Sequence, residues 1–138
     1  MRTLILHQDE PKMTEWARQL QGALQNQKFQ VNLIDPSHGA GAPISTAQYE
    51  LVVVLTNFKG LWRPVIPVAI DNLMKRCTRL EGKYGVAIVP HKLNSGRAVR
   101  FLMHLMEKQG IMVDDFATVR SPKEFSALAE RFAKLSRR

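Results

Sequence analysis

LVVVL, residues 51–55, is an unbroken apolar run in which three β-branched valines follow one another. A strand with one face in water would alternate apolar and polar residues, and this run does not alternate. It is typical of a central strand in a parallel sheet that carries helices on both faces. The run therefore predicts an α/β protein with residues 51–55 near the middle of its sheet.

On both sides of this run, short apolar segments alternate with segments whose apolar residues recur at helical spacing. Strands are predicted over residues 3–7, 29–34, 51–55, 84–89 and 111–119, and helices over 13–27, 65–80, 97–109 and the segment after Ser121. Helical crossovers between strands predict a parallel sheet covered on both faces. Five strands at this spacing fit a three-layer flavodoxin-like fold with a five-stranded parallel sheet in the order 2-1-3-4-5.

Local signals set the ends of these segments. Ser121, Pro122 and Glu124 form the pattern of a helix start with a capping box. Residues 35–46 are rich in Pro, Ser, Gly and Ala, so we expect one long loop there, with room for a short helix. Cys77 falls on the apolar stripe of the 65–80 helix and is predicted to be buried. The tail, residues 136–138, is expected to fray.

Length and composition limit the classes of protein that the chain can belong to. With 138 residues, 45% hydrophobic and 23% charged, it reads as a single globular domain over residues 1–138 rather than a disordered chain, a collagen or a coiled coil. One cysteine excludes an internal disulfide and a four-cysteine zinc site. No apolar run approaches the roughly 18 residues of a membrane span, and the first residues lack the pattern of a signal peptide. We therefore expect a cytoplasmic protein with no membrane segment.

Positive charge dominates the chain and is unevenly distributed. The net charge is +8, and residues 59–100 contain nine Lys or Arg residues against Asp71 and Glu81. One interpretation is a solvated helix face that keeps the protein soluble. The other is attraction to an anionic partner, which could be a nucleotide cofactor, a nucleic acid or an acidic protein. Nucleic acid is disfavoured, because the basic residues do not interleave with aromatic residues as in RNA-recognition or helix-turn-helix patterns.

The predicted fold indicates where a ligand would bind. In an open α/β sheet, ligands lie beyond the carboxyl ends of the strands, at the crevice between the first and third strands. Three predicted loops meet there: residues 7–14, 56–64 and 90–96. Their aromatic residues and hydrogen-bond donors suit a flat ligand with polar edges, such as a flavin ring. The alternative is that they are polar loops with an aromatic residue packed at the edge.

Residues 56–72, TNFKGLWRPVIPVAIDN, resemble a segment of the NADPH-dependent FMN reductase branch of the flavodoxin-like superfamily. That branch carries a segment of the form PEYNGSIPGVLKNAIDW. Without gaps, five residues are identical: Gly60, Val65, Ala69, Ile70 and Asp71. Residues 95–98 (Ser-Gly-Arg-Ala) resemble the glycine-rich loop that lies against the flavin in this family.

The resemblance implies an FMN-binding oxidoreductase, with NAD(P)H as co-substrate, hydride transfer by the flavin itself, and a homodimer. Lys12 and Thr14 would contact the phosphate, the loop after residue 55 would border the ring, and the loop after residue 89 would donate hydrogen bonds to its edge. The cofactor-binding residues implied in this way are Lys12, Thr14, Thr56, Asn57, Phe58, Lys59, Gly60, Trp62, Pro90, His91, Asn94, Ser95 and Gly96.

The first loop leaves a second function open. Where the reductase branch has hydroxyl groups and an arginine for the phosphate, this chain has Asp9 and Glu10. The segment His7-Gln8-Asp9-Glu10-Pro11 also resembles the acidic start of response-regulator receiver domains. A receiver needs a phosphorylatable Asp after its third strand and a Lys after its fifth, and this chain has Thr56 and Arg120 there. The alternative is therefore a non-catalytic flavodoxin-like or pseudo-receiver module that binds an acidic partner without a cofactor.

Overall fold

Five parallel strands form the central sheet, with two helices on each face. The structure is a computed structural model and describes residues 1–135, so the predicted fraying of residues 136–138 lies outside the described residues. The sheet is built from β1 (Arg2–His7), β2 (Gln30–Ile34), β4 (Leu51–Leu55), β6 (Tyr84–Pro90) and β7 (Met112–Val119), and the helices are α1 (Pro11–Asn26), α2 (Val68–Arg76), α3 (Ser95–Lys108) and α4 (Phe125–Leu135). Two short strands, β3 (Ile44–Ser45) and β5 (Cys77–Thr78), pair with each other outside this sheet.

The strand order of the main sheet is β2-β1-β4-β6-β7. Counted by sheet strands alone, this is the predicted order 2-1-3-4-5, and the three-layer architecture is confirmed. All four pairings between neighbouring strands are parallel. The crevice between the first and third sheet strands therefore lies beyond His7 and Leu55, which are register partners.

The burial of β4 explains the sequence of residues 51–55. Val52 and Val54 belong to the core beneath α2 and α3, whereas Leu51, Val53 and Leu55 belong to the core beneath α1 and α4. Since successive side chains of a strand point to opposite faces, both sets must be apolar when both faces are covered. All five residues are buried, as predicted for a central strand.

The helix predicted over residues 65–80 is shorter than expected at both ends. It begins at Val68 because Pro64 and Pro67 lack backbone N–H groups and keep the residues before them out of the helical conformation. Val65 instead pairs antiparallel with Lys59. At the other end, Cys77 leaves the helix and pairs with Ile44. Cys77 is buried as predicted, but in a strand rather than on a helix.

The segment predicted as one long loop contains short regular elements. It includes a 3₁₀ helix, His38–Gly41, and the strand β3. Arg76, the last residue of α2, holds this segment by donating to the backbone carbonyls of Pro36, His38 and Ala42.

At the C-terminal end, the capping box of Ser121 and Glu124 is confirmed, with a 3₁₀ turn, Pro122–Glu124, leading into α4. Among residues 1–135, no helix has the length and apolar character needed to cross a membrane.

Candidate functional site

Three connections of different length meet at the carboxyl ends of β1, β4 and β6. The β1–α1 loop has only three residues, 8–10, whereas the β4–α2 connection spans residues 56–67 and the β6–α3 loop spans residues 91–94. The N-termini of α1, α2 and α3 all follow these connections. Helix N-termini attract negative charge through their free N–H groups and their dipole, so this edge has the backbone of an anion site.

The β1–α1 loop is held against the next connection. Gln8 Oε1 accepts hydrogen bonds from Asn57 N at 2.9 Å and from Thr56 Oγ1 at 3.3 Å, and Gln8 N donates to Leu55 O at 3.2 Å. The Gln8 carboxamide oxygen is thus engaged within the protein. Asp9 is exposed and Glu10 is half-buried. Both acidic residues of the loop directly precede the start of α1.

The start of α1 has no side-chain cap. Glu10 occupies the N-cap position with an extended backbone, and its side chain makes no capping hydrogen bond. Pro11 follows without an N–H group, and Thr14 N donates to Glu10 O at 2.8 Å. Lys12 Nζ lies 5.0 Å from the centre of the Trp16 ring. Of the two residues predicted to contact a phosphate, Lys12 therefore lies against an aromatic ring and Thr14 sits one turn into the helix.

Residues 59–65, named here the Trp62 loop, project from the β4–α2 connection. Lys59 N donates to Val65 O at 3.1 Å and Val65 N donates to Lys59 O at 2.7 Å, which closes the loop. Gly60 has φ +101°, and a Cβ atom there would lie 2.3 Å from Arg63 O, so only glycine fits the turn. Arg97 Nη1 donates to Trp62 O at 3.2 Å and ties the loop to α3. Trp62 itself is 85% exposed.

Lys92 connects the β6–α3 loop to the β4–α2 connection. Its Nζ donates to Asn57 Oδ1 and to Phe58 O, both at 2.7 Å, and lies 4.4 Å from the centre of the Phe58 ring. We call this contact the Lys92 bridge. Partial burial lowers the pKa of Lys92, nearby Lys12 lowers it further, and Glu10 opposes both effects. Lys92 is thus near charged groups of the β1–α1 loop and of α1.

The predicted site residues of the middle connection divide into two groups. Lys59, Gly60 and Trp62 lie in the surface loop, whereas Thr56 is buried and Phe58 is only 2% exposed and belongs to the core. Asn57 is half-buried, and its Oδ1 also accepts from Phe58 N at 2.8 Å. The second group therefore packs inside the protein, and the first lies on its surface.

The predicted residues after β6 also divide. His91 is turned toward β7: its Nδ1 lies 3.2 Å from Thr118 Oγ1, and Arg120 Nη2 donates to its Nε2 at 3.5 Å. Pro90 and Ser95 are buried. Asn94 has φ +64° and precedes α3, and Gly96 is exposed in its first turn. The structure therefore brings Asn94 and Gly96 to the start of α3, near the Arg97 contact with the Trp62 loop.

Sequence reasoning missed three residues that organise the site: Gln8, Lys92 and Arg97. All three lie in the predicted loops or next to them, and their side-chain donors and acceptors were the available signal. Their partners could not be identified, because Gln8 and Asn57 are 49 residues apart and Lys92 and Asn57 are 35 apart.

The surface around the crevice is both apolar and basic. Large apolar side chains that are more than half exposed cluster in the two longer connections and at the start of α2: Leu61, Trp62, Val65, Val68 and Leu93. The basic side chains of these segments and of the first turns of α1 and α3 are Lys12, Lys59, Arg63, Lys92 and Arg97, and Asp9 and Glu10 are the acids of the β1–α1 loop.

Outside the crevice, two groups have shifted pKa values. Burial raises the pKa of the Cys77 thiol to about 11, although Arg76 opposes the shift, so this thiol is protonated and buried at neutral pH. Burial acts to raise the pKa of Asp35, but hydrogen bonds from Ser37 and the nearby His7 and His38 lower it overall. In the part of the chain that the structure describes, no three His, Cys, Asp or Glu residues are grouped to hold a metal ion.

A flavin mononucleotide can be compared with this geometry part by part. For the ring, the crevice offers an exposed indole, an exposed Leu93 and the N-terminal turn of α3, which are the apolar surface and donors that a flat polar-edged ring needs. For the phosphate, the β1–α1 loop offers two carboxylates and no capping side chain. The residues present therefore include apolar surface and donors suited to a ring, and they do not fit a dianionic phosphate at α1.

No family model matches the chain, and no curated protein sequence matches it. Solved structures do. An oxidised flavodoxin from Bacillus cereus is 16% identical with TM-score 0.66, covering 97% of this chain and 95% of that one. The two-electron reduced flavodoxin of Megasphaera elsdenii is 16% identical with TM-score 0.71, covering 96% and 98%. An archaeal flavodoxin is 12% identical with TM-score 0.66, covering both chains fully. The chain thus has the three-layer flavodoxin-like fold.

Proposed function

We propose that this chain is a small FMN-binding redox protein that holds the flavin ring in the crevice between the Trp62 loop and the start of α3. The observation that carries the proposal is the exposed Trp62, held on a closed loop at the place where α/β sheets of this order bind ligands. An indole that is 85% exposed leaves a large apolar surface in water. A ligand ring that covers it would recover the free energy of burying that surface.

In this proposal, each part of the crevice has a role in binding the flavin ring. Trp62 and Leu93 provide apolar contact for the ring, and Gly60 allows the turn that presents the indole. Asn94 and the N–H groups of the first turn of α3 donate to the polar edge. Arg97 and the Lys92 bridge fix the two connections relative to each other. The flavin, when bound, supplies the electron or hydride transfer, and the protein supplies position and charge.

The finer proposals come from the resemblance of residues 56–72 to the reductase branch. A cytoplasmic location is proposed instead from the single cysteine and the lack of a long apolar run in the sequence. The two proposals from the resemblance are that NAD(P)H reduces the bound flavin and that the protein is a homodimer. Flavin titration followed by mixing with NADH or NADPH tests the first. Light scattering of the purified protein, with and without FMN, tests the last.

The binding proposal is tested by titrating the protein into FMN and following flavin fluorescence. We expect quenching by the wild-type protein and an affinity at least about tenfold lower for Trp62→Ala, since stacked aromatic contact and buried area at this position contribute roughly 1.4 kcal/mol or more. Phe116→Ala is the matched control, because Phe116 is another exposed aromatic residue, on the edge strand β7. Absence of quenching by the wild-type protein at high micromolar FMN would contradict the proposal, as would equal loss in both variants.

A second candidate function is docking to an acidic protein without a cofactor. The observation that favours it is the basic and apolar surface of the Trp62 loop, which carries Lys59, Arg63 and the exposed Leu61 and Trp62 and is bonded to Arg97 of α3. Such a surface complements an acidic partner that has an apolar recess. The proposal predicts binding to an acidic polypeptide such as polyglutamate that weakens steeply with salt and with Arg63→Gln. Salt-insensitive binding, or no binding, would count against it.

A further inference from the structure

We propose that the crevice recognises a flavin by its ring and not by its phosphate, so that FMN binds no more tightly than riboflavin. This inference rests on the proposed function, because it presupposes that a flavin binds. It assigns a ligand class, flavins regardless of phosphorylation, that neither the fold nor the resemblance of residues 56–72 indicates.

The β1–α1 loop is short, which limits the groups that could bind a phosphate. β1 ends at His7 and α1 begins at Pro11, so three residues connect them. The side chain of the first, Gln8, is turned to Asn57 N and Thr56 Oγ1. A phosphate would have to be bound by the remaining groups, which are Gln8 Nε2, Asp9, Glu10 and the first turn of α1.

The charges of this segment oppose the binding of a phosphate. Glu10 is the N-cap residue, where a hydroxyl or amide side chain would normally satisfy the free N–H groups and where an anion would bind. Its own carboxylate, with that of Asp9, makes this position negative. A dianion placed there would meet two like charges at short range, which is unfavourable at any realistic dielectric constant.

Few hydrogen-bond donors and cations are available to a phosphate at the start of α1. Pro11 has no N–H group and Thr14 N already donates to Glu10 O, so the backbone donors left in the first turn of α1 are those of Lys12 and Met13, directly after the Glu10 carboxylate. The nearby cations are engaged elsewhere: Lys12 lies against the Trp16 ring, and Lys92 donates to Asn57 and Phe58. At this loop, two cations against two carboxylates leave no excess of positive charge for a phosphate. The other basic residues near the crevice, Lys59, Arg63 and Arg97, lie in or beside the Trp62 loop.

The part of the crevice that would hold the ring, formed by the Trp62 loop and the start of α3, has none of these unfavourable features. The Trp62 loop is closed by two backbone hydrogen bonds and joined to α3 by Arg97, and its indole is open to a ligand. Binding free energy is therefore available from the ring alone. Riboflavin carries the same ring without the dianion, so it has the favourable contacts and avoids the unfavourable ones.

The test is a comparison of dissociation constants for riboflavin and FMN, measured by flavin fluorescence at one ionic strength and pH 7.5. We expect the FMN constant to be equal to or larger than the riboflavin constant. An FMN affinity about fivefold or more above that of riboflavin would overturn the inference while leaving the proposed function intact. If neither flavin binds, the proposed function fails, and the inference fails with it.

A variant of Glu10 tests whether equal dissociation constants for FMN and riboflavin result from the charge of the β1–α1 loop or arise by chance. Glu10→Ser removes the N-cap carboxylate and supplies a capping hydroxyl, a change that favours the helix and so preserves the fold. We expect FMN affinity to rise about tenfold with little change for riboflavin. Glu15→Ser is the matched control: it removes the same charge from an exposed position further along α1, where Glu15 only bonds Gln19. Equal responses to Glu10→Ser and Glu15→Ser, or a parallel gain for riboflavin, would overturn the inference.

Discussion

The β1–α1 loop and the Trp62 loop lie at the same edge of the sheet and differ in length, charge and exposure. The first has three residues, carries two carboxylates, and is bonded inward through Gln8. The second is closed on itself, presents an indole to solvent, and has basic residues around it. The comparison shows that one edge of the sheet can combine an acidic loop with a basic and apolar one, so the two sides of the crevice differ in chemistry. Because loops tolerate substitution far better than the strands between them, the strand order alone does not fix the ligand.

The two loops are nevertheless mechanically connected. Gln8 reaches Asn57, and Asn57 accepts from Lys92, so the three connections of the crevice share one polar residue. Asn57 N, Oδ1 and the neighbouring carbonyl of Phe58 are all occupied by these contacts. Variants that disturb one loop at a time can therefore establish whether the difference between the loops is local or is transmitted through Asn57.

The largest effect on stability is expected from Gly60→Ala, which disturbs the Trp62 loop alone. The alanine would have to adopt φ near +101° and place its Cβ 2.3 Å from Arg63 O, a contact with backbone that cannot move away without opening the loop. We expect the free energy of unfolding to fall by about 2 kcal/mol, the order found for strained backbone positions. Chemical denaturation measures this, and flavin affinity should fall in parallel.

Gly96→Ala provides the control for this glycine substitution. Gly96 lies in the first turn of α3 with no atom within 4 Å of an added Cβ and no positive φ. Alanine is preferred to glycine in a helix, so we expect stability to rise by up to about 1 kcal/mol. A Gly60→Ala protein as stable as the wild type would show that the Trp62 loop is not held in the described conformation.

The hydrophobic pattern was sufficient to predict the sheet, because the apolar residues of a strand indicate which of its two faces are buried. Residues 51–55 predicted a central strand, the alternation of elements predicted a parallel sheet, and the strand order came from the flavodoxin-like fold that five strands at this spacing fit. The pattern failed at Val65, whose apolar spacing continues that of α2 although Pro64 and Pro67 delay the helix to Val68. The two prolines override the apolar period there.

The site was predicted less completely, because its contacts are made between residues distant in sequence. The position of the crevice and the presence of Trp62 on a loop follow from local sequence and fold rules. The burial of Phe58 and the Lys92 bridge do not, since both depend on how the β4–α2 connection packs against a loop more than thirty residues away. A lysine in a polar loop gives no local indication of its partner.

A smaller effect is expected from Gln8→Ala, which separates the β1–α1 loop from Asn57. The change leaves the half-buried Asn57 N–H without its acceptor, and a lost hydrogen bond at such a position costs about 1 kcal/mol. Denaturation measures the loss, and Gln19→Ala is the control because Gln19 bonds only Glu15 on an exposed helix face. If flavin affinity also falls, the two loops are coupled through Asn57. Unchanged affinity with reduced stability would show that the difference between them is local.

The smallest effect concerns the titration of Lys92, which lies between the two loops. Burial lowers its pKa, Lys12 adds to the shift and Glu10 opposes it. The folded state thus holds this proton less tightly than the unfolded chain, whose lysine titrates near 10.5. Unfolding then takes up a proton between the two pKa values, so the contribution of Lys92 to stability becomes more favourable as the pH rises through that interval. Lys92→Met cannot titrate and lacks this change.

We therefore expect the stability of the wild type, relative to Lys92→Met, to increase between pH 7 and pH 10.5 by less than about 1 kcal/mol, because the side chain is largely solvated. Lys108→Met removes one positive charge from the last turn of α3, at the far end of that helix, and controls for net charge. Glu10→Ser should enlarge the increase, since it removes the carboxylate that opposes the shift. If the increase is the same with and without Glu10, the β1–α1 loop does not act on the Lys92 bridge, and the two halves of the crevice are electrostatically independent.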